Sequence, residues 1–354
     1  MNKKIREVIF EILHYYFRIS TKFRLSRPEL GIVARNRSKF YADMWIGAAA
    51  HLKADIKNIG GDIFEITKSG KTMKTWQAET SLDNLIDPIL TGNKPLIAKL
   101  LSDMEIPTPR YLEFGKDGLS DALKFLDEIG GPVVVKPSDG TGGGNSVVTN
   151  ITDASRLITA AANARVSGSR ILIEEQVAGD NYRLLYLDGE LIDCVLRRSP
   201  TLIGDGVSSL RRLVESENKN RLRTGSEMAQ VLLTIDMDMT NTLAAQGLKL
   251  TSVPIADQRV KMKEVINQNR REDNQAAMDI LCDSIADMGS RIVRAIGARV
   301  VGLDVITKDP SVPLADSGGV LLEVNSPPGL YYHNERTDDG AIVIAVDLLR
   351  RGLT

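Results

Sequence analysis

VVGLDVITKDPSVPLADSGGVLLEVNSPP, residues 300–328, is the stretch on which the fold turns. Val300–Ile306 and Val320–Val324 read as two short apolar strands joined by a polar Pro/Gly/Asp loop. Asp304 interrupts the first run, and Glu323 and Asn325 close the second. Side chains at i and i+2 of a strand share a face, so Glu323 and Asn325 project together and a paired strand can bring Asp304 beside them. Hard oxygen ligands converging on one face suit Mg²⁺ held with nucleotide phosphates. Taken alone, the stretch is equally a plain hairpin with a polar end.

Upstream, residues 133–148 read VVVKPSDGTGGGNSVV. A buried strand ends in Lys136 and opens into a turn with four glycines between 140 and 144. Glycine lets backbone N–H groups approach an anion closely, and the lysine adds a point charge for phosphate. No Gly-Lys-Ser/Thr opens a helix, so this is not a Walker A loop. The loop joins two strands, so it is not a Rossmann fingerprint either. A third segment, ILIEEQV at 171–177, runs from a buried strand into an extended tail. Such a tail offers backbone groups to a base edge, an acidic residue can accept from an exocyclic amine, and Val177 can cover the ring. Asn181 follows closely enough to bond ribose hydroxyls.

The remaining composition mostly excludes. At 354 residues the chain is long enough for two or three lobes with their own cores. A formal net charge of −1 gives no broad footprint for nucleic acid. Two cysteines, Cys194 and Cys282, argue against a disulfide scaffold or a Cys/His zinc site, and both read as buried thiols. With three histidines in the chain, a His-based triad is disfavoured. No apolar run is long enough for a membrane span, and the expected location is cytoplasmic. The first twenty residues place Ile5, Val8, Ile9, Ile12, Leu13 and Tyr16 at helical spacing, which predicts an amphipathic helix docked on the protein, with a membrane-surface or partner-binding role as the lesser alternative. Further helices are expected over Ala48–Ile56, Lys94–Met104, Leu119–Ile129, Asp153–Arg165, Asn274–Ile296 and Asp338–Arg351. Asp188-Gly189 predicts a hairpin between Tyr182–Leu187 and Leu191–Leu196. Val260–Ile266 alternates as a strand with Lys261 and Lys263 on one face.

Lysine, glycine loop, acidic hinge and the Asp…Glu-x-Asn pair stand in the order found in the ATP-grasp ligases. The chain resembles that family from about residue 90 to 335, most of all the ATP-grasp domain of cyanophycin synthetases, and more distantly bifunctional glutathione synthetases and D-alanine–D-alanine ligases. NKPLIAKLL at 93–101, RRSPTLIGDG at 197–206 and GGVLLEVNSPPGL at 318–330 also carry the likeness. The resemblance implies an α/β protein of α+β lobes. It would comprise a pre-ATP-grasp region over 1–92 and an ATP-grasp domain over 93–354, with a lid lobe at about 105–180 and a metal-binding lobe at about 181–354.

It implies ATP and two Mg²⁺ ions, with Mn²⁺ able to substitute. Lys94 and Lys136 would contact phosphates, and Ser138, Thr141, Gly142, Gly143 and Gly144 would close over them. Glu174, Glu175 and Val177 would line the adenine pocket and Asn181 the ribose. Asp304, Glu323 and Asn325 would hold the metal. Arg198 would sit by the transferred phosphate, and Arg183 by a substrate carboxylate. The implied reaction joins an acid to an amine through an acylphosphate, on an amino acid or short peptide, without nucleic acid, and a homodimer fits the family. A small-molecule kinase and a non-catalytic nucleotide-binding regulator are the alternatives. One departure is Gly302, which stands where D-alanine ligases carry an arginine. Another is the charged stretch Gln268–Asn274 in place of a Gly/Ser-rich loop, where the acceptor site is expected.

Overall fold

The computed structural model describes residues 3–25, 27–139, 146–223, 232–333 and 335–354. Thr141, Gly142, Gly143 and Gly144 of the glycine loop lie outside the described residues.

Two long helices, α1 (Lys3–Leu25) and α2 (Glu29–Leu52), precede a four-stranded antiparallel sheet of β1 (Asp55–Gly60), β2 (Ile63–Lys68), β3 (Lys71–Trp76) and β4 (Glu79–Thr80). The helix expected over Ala48–Ile56 stops earlier than its apolar residues suggest. Lys53 adopts a left-handed conformation at φ 52° and caps α2, and Ile56 falls on β1. Helices α3 (Ile86–Gly92) and α4 (Lys94–Asp103) follow, the latter capped by Asn93, whose side chain accepts from Leu96 N at 3.2 Å.

The lobe expected as the lid contains β5 (Tyr111–Phe114), α5 (Leu119–Ile129), β6 (Val133–Pro137), β7 (Val148–Ile151), α6 (Ala154–Ala164) and β8 (Ile171–Glu175). Its sheet runs in the order β5-β8-β6-β7. Aliphatic side chains of α5, α6 and the sheet form one core, and α1 completes it with Phe10 buried and Ile9, Leu13 and Phe17 packed alongside.

The second lobe starts with the hairpin β9 (Asp180–Leu187) and β10 (Glu190–Arg197), then β11 (Thr201–Ile203), α7 (Leu210–Arg223), α8 (Met237–Ala245), β12 (Arg259–Lys261) and β13 (Gln275–Ala276). It continues through α9 (Asp283–Ile296), β14 (Val300–Thr307), α10 (Leu314–Ser317), β15 (Val320–Asn325) and α11 (Val343–Gly352). Its antiparallel sheet has the order β13-β10-β9-β14-β15. Alternation divides the faces of this sheet. Tyr182, Leu184, Leu303 and Val305 pack toward α9 and α4, whereas Leu185, Leu187 and Val300 join a core with α2, the β1–β4 sheet and α11. Residues 1–92 therefore contribute to both lobes: α1 to the lid, and α2 with the small sheet to the base.

Four expectations are corrected. Asn274–Ile296 is helical only from Asp283, because Gln275 and Ala276 pair with Leu196 and Val195 as an edge strand. The C-terminal helix begins at Val343. The strand expected over Val260–Ile266 ends at Lys261, so the two lysines diverge: Lys261 is exposed beside Glu264, and Lys263 is buried on Asp236 at 2.6 Å. Cys194 is buried as expected, but Cys282 is partly exposed.

Candidate active site

The two sheets and the start of the chain enclose a cavity of about 1030 Å³. Strand register builds its floor. Asp304 on β14 lies opposite Arg183 on β9 and opposite Glu323 on β15, and Gly302 lies opposite Asn325. The pairing expected from the 300–328 stretch is thus present. Arg183 donates to both Asp304 oxygens, at 2.5 and 3.0 Å, and Arg197 donates to Oδ1 at 2.9 Å. All three are buried. Burial opposes ionisation of Asp304, but the two guanidinium groups outweigh it and hold the carboxyl below its ordinary range. Tyr332 covers this cluster, its ring centroid 4.4 Å from the Arg197 guanidinium carbon and 5.6 Å from that of Arg183.

Gly302 now has a physical reason. A Cβ there would stand 2.7 Å from Pro328 and 3.1 Å from Arg183 Nη1. The space an arginine at 302 would need is filled by the arginine of the neighbouring strand.

Arg197 is the residue that sequence reasoning passed over in favour of Arg198. A tight hairpin at Asp188-Gly189 begins in register, with Glu190 opposite Leu187 and Leu191 opposite Tyr186. A bulge between Leu191 and Asp193 then shifts the pairing by one, so that Arg197 faces Asn181. A one-residue slip sends every later side chain to the other face. Arg198 is consequently exposed at the cavity wall and donates to Gln275 Oε1 at 3.3 Å. Arg197→Ala is expected to cost about 3 kcal/mol of stability, since it strips a buried carboxylate of a partner, against under about 0.5 kcal/mol for Arg198→Ala. Urea denaturation of the two variants measures the difference.

Two lysines face these groups, Lys94 from α4 on the base and Lys136 from the lid sheet. Lys94, at the first position of α4, bonds Glu323 Oε1 at 2.8 Å. Burial disfavours its charge, but Glu323 outweighs this and raises its pKa. Glu323 is likewise pushed up by burial but ends below its ordinary value because of Lys94. Lys136, at the end of β6, bonds Glu174 Oε1 on β8 at 2.5 Å, and both are buried. Glu174, Glu175, Gln176 and Val177 line the cavity where β8 leaves the sheet. Glu175 is tethered by Arg110, whose backbone N and Nε reach it at 3.0 and 3.1 Å. Gly179 brings the next turn against Thr307, where a Cβ would meet the carbonyl carbon at 2.7 Å. This close approach sets Asn181 into the cavity wall.

Ser138 differs from expectation. It is fully buried, its hydroxyl donates to Glu113, and it does not line the cavity. Gln268–Asn274 also differs. Arg270 and Arg221 grip Glu217 of α7, and Arg221 donates to Gln268 O at 2.9 Å, so the stretch is fastened to α7. Glu264–Asn267, just before it, line the cavity instead.

The residues present fit a nucleotide with a divalent cation. Glu323 and Asn325 offer hard oxygens at one strand end, with Lys94 and Lys136 acting on the same carboxylate. Asn181 Oδ1 and Asn325 Nδ2 are buried without a hydrogen-bond partner among the described residues. Both Asp304 oxygens already accept from arginine, so Glu323 and Asn325 are the more available ligands. Among the described residues no three His, Cys, Asp or Glu side chains cluster as metal ligands.

Behind the arginines, His333 Nδ1 meets Asp193 Oδ2 at 2.6 Å, and the ring is fully buried. Burial lowers the imidazole pKa, partly offset by Asp193. The unfolded chain then takes up this proton first, at about pH 6.5, so stability should fall as pH drops below that value toward the lowered folded pKa. Asp304 and Glu323 add their own loss below about pH 4, where their unfolded forms protonate. Urea unfolding at stepped pH should show the upper window in the parent and not in His333→Gln.

A lid sheet carrying Lys136 over an antiparallel base sheet that carries the carboxylate-amide pair, with Lys94 beside it on α4, is the architecture of the ATP-grasp fold. A bifunctional glutathione synthetase from Pasteurella multocida has the same fold, with a TM-score of 0.53 at 20% identity over 88% of this chain and 44% of that one. The family model for the carbamoyl-phosphate synthase L chain, ATP binding domain, matches residues 93–183.

Among curated proteins, the chain is 31% identical to the glutathione biosynthesis bifunctional protein GshAB of Mannheimia succiniciproducens, over 77% of this chain and 36% of that protein. It is 31% identical to the cyanophycin synthetase of Synechocystis sp., over 66% of this chain and 27% of that protein. The chain spans about a third of the length of the curated relatives it matches. No described helix is long and apolar enough to cross a membrane.

Proposed function

We propose that the protein is an ATP-dependent carboxylate–amine ligase acting on an amino acid or short peptide. The observation that supports this best is the convergence of Lys94–Glu323, Lys136–Glu174 and Arg183–Asp304–Arg197 on one large cavity. Each cation there has a carboxylate partner that a phosphate oxygen could replace.

In this reading Lys94 and Lys136 hold the phosphates, and Glu174, Glu175, Val177 and Asn181 receive the nucleoside. Glu323 and Asn325, with Asp304 behind them, would hold Mg²⁺, as two ions, and Mn²⁺ would serve in its place. When bound, the cation would supply charge neutralisation for the phosphates. A substrate carboxylate oxygen attacks the γ-phosphorus, the bond to ADP breaks, and an acylphosphate forms. A neutral amine then attacks the acyl carbon, phosphate leaves, and the nitrogen loses a proton. Arg198, at the cavity wall, would neutralise the acylphosphate. Arg183 and Arg197 keep Asp304 ionised and fixed. Positioning and fixed charge in a closed cleft carry the catalysis, with no covalent protein intermediate.

The test is a screen of amino acid and peptide pairs for phosphate release, with mass spectrometry of the product. Phosphate that appears only when acid and amine are both present supports the ligase. ADP with a stable phosphorylated product from one substrate would mean a kinase and overturn it.

A further inference from the structure

One surface is untouched by this reading. Helix α1 turns Ile9, Phe10, Leu13 and Phe17 into the lid core, and Glu11 is tied to Arg165 at 2.7 Å. It carries a second apolar face. Ile5, Val8, Ile12, Tyr15, Tyr16 and Ile19 are 39% to 66% exposed. At about 100° per residue all six fall within an arc of about 100°, along roughly 21 Å of helix. Lys4 and Lys22 fall at one margin of that arc by the same geometry. A helix with one apolar face on its own protein ordinarily presents polar residues elsewhere, so a second apolar stripe marks a contact surface.

Charge chooses the occupant. Helix α1 holds six lysines and arginines against two glutamates, in a chain whose formal net charge is −1. The rest of the molecule is therefore acidic and the helix basic. Two copies meeting through this stripe would bring like charges together. An anionic lipid surface offers the complement: acyl chains for isoleucine and valine, an interface for the tyrosines, and headgroups for lysines that extend from the margin.

We propose that α1 docks the protein on anionic membrane surfaces, lying in the interface with the Ile5–Ile19 stripe buried and the lid lobe held above it. This is peripheral binding without a span, and it does not depend on the ligase reading.

The test is flotation of the full chain with vesicles of phosphatidylcholine containing roughly 30% phosphatidylserine, with pure phosphatidylcholine as control. Binding is expected to the mixed vesicles alone and to weaken at high salt. The double variant Ile12→Glu, Ile19→Glu should reduce it at least about tenfold, since each isoleucine loses its burial in the interface. Lys4→Glu with Lys22→Glu should reduce it while leaving the stripe intact. Equal binding to pure phosphatidylcholine, or binding that survives the isoleucine changes, overturns the proposal. So does concentration-dependent self-association that the isoleucine variant abolishes in a protein that ignores vesicles, because the occupant is then a second copy. A thermal midpoint that falls in the isoleucine variant also overturns it, because the stripe would then be covered within the chain.

Discussion

Asp304→Asn is expected to be damaging twice, in stability and in turnover. The folded protein buries Asp304 between Arg183 and Arg197, with three N–H donors on its two oxygens. Removing the charge leaves two buried guanidinium groups facing each other without a counter-ion. Breaking a buried pair in this way costs about 3–5 kcal/mol. Urea denaturation should show it, and Arg197→Met in the same chain should recover part of the loss by removing one of the two excess charges. Under the proposed ligase reading, turnover per folded molecule should also fall, by about 10²–10³, because fixed charge at the transferring phosphoryl group is lost. Stability lost with turnover per folded molecule intact would leave Asp304 a structural counter-ion and remove it from the metal set.

Lys136→Met separates binding from packing on the lid side. The lysine is buried 2.5 Å from Glu174, so its loss strands a buried carboxylate and should cost about 3–5 kcal/mol. Lys136→Met combined with Glu174→Gln removes both charges, and stability should return close to that of the parent. Activity should not return. If Lys136 holds phosphate, the double variant stays down by about 10² or more in kcat/KM for ATP. Restored turnover in the double variant would show that the lysine serves only to neutralise Glu174.

Much of the site was legible because strand alternation is a strict code. Asp304, Glu323 and Asn325 could be placed on one face before any coordinates, and the register agrees. Asp188-Gly189 marked its hairpin by turn chemistry alone. What escaped is what alternation does not encode. The bulge between Leu191 and Asp193 has no composition signal, yet it exchanges Arg198 for Arg197 on the face of the sheet that carries Arg183. Lys263 read as a partner of Lys261 because a strand was extended past its last ladder bond, and the chain turns first. Asn274–Leu281 kept apolar residues at helical spacing, but Gln275, Ala276 and the Ala277 N–H pair with β10.

The placement of α1 and α2 has a mechanical consequence. α1 belongs to the lid core and α2 to the base core, and only the short stretch around Arg27 and Pro28 joins them. The lid is also tied to the separate core that α8 forms with α7, β11 and β12: Thr149 of β7 donates to Asp238 of α8 at 2.5 Å, and Asn241 of α8 donates to the Thr149 carbonyl at 3.0 Å. The chain itself crosses between the same sheets before Tyr111 and after Glu175, and Leu321 N of β15 donates to Pro107 O at 2.8 Å. A lid fastened at several separated places cannot drift freely from its base, so any motion of Lys136 relative to the Asp304 cluster is a constrained rotation.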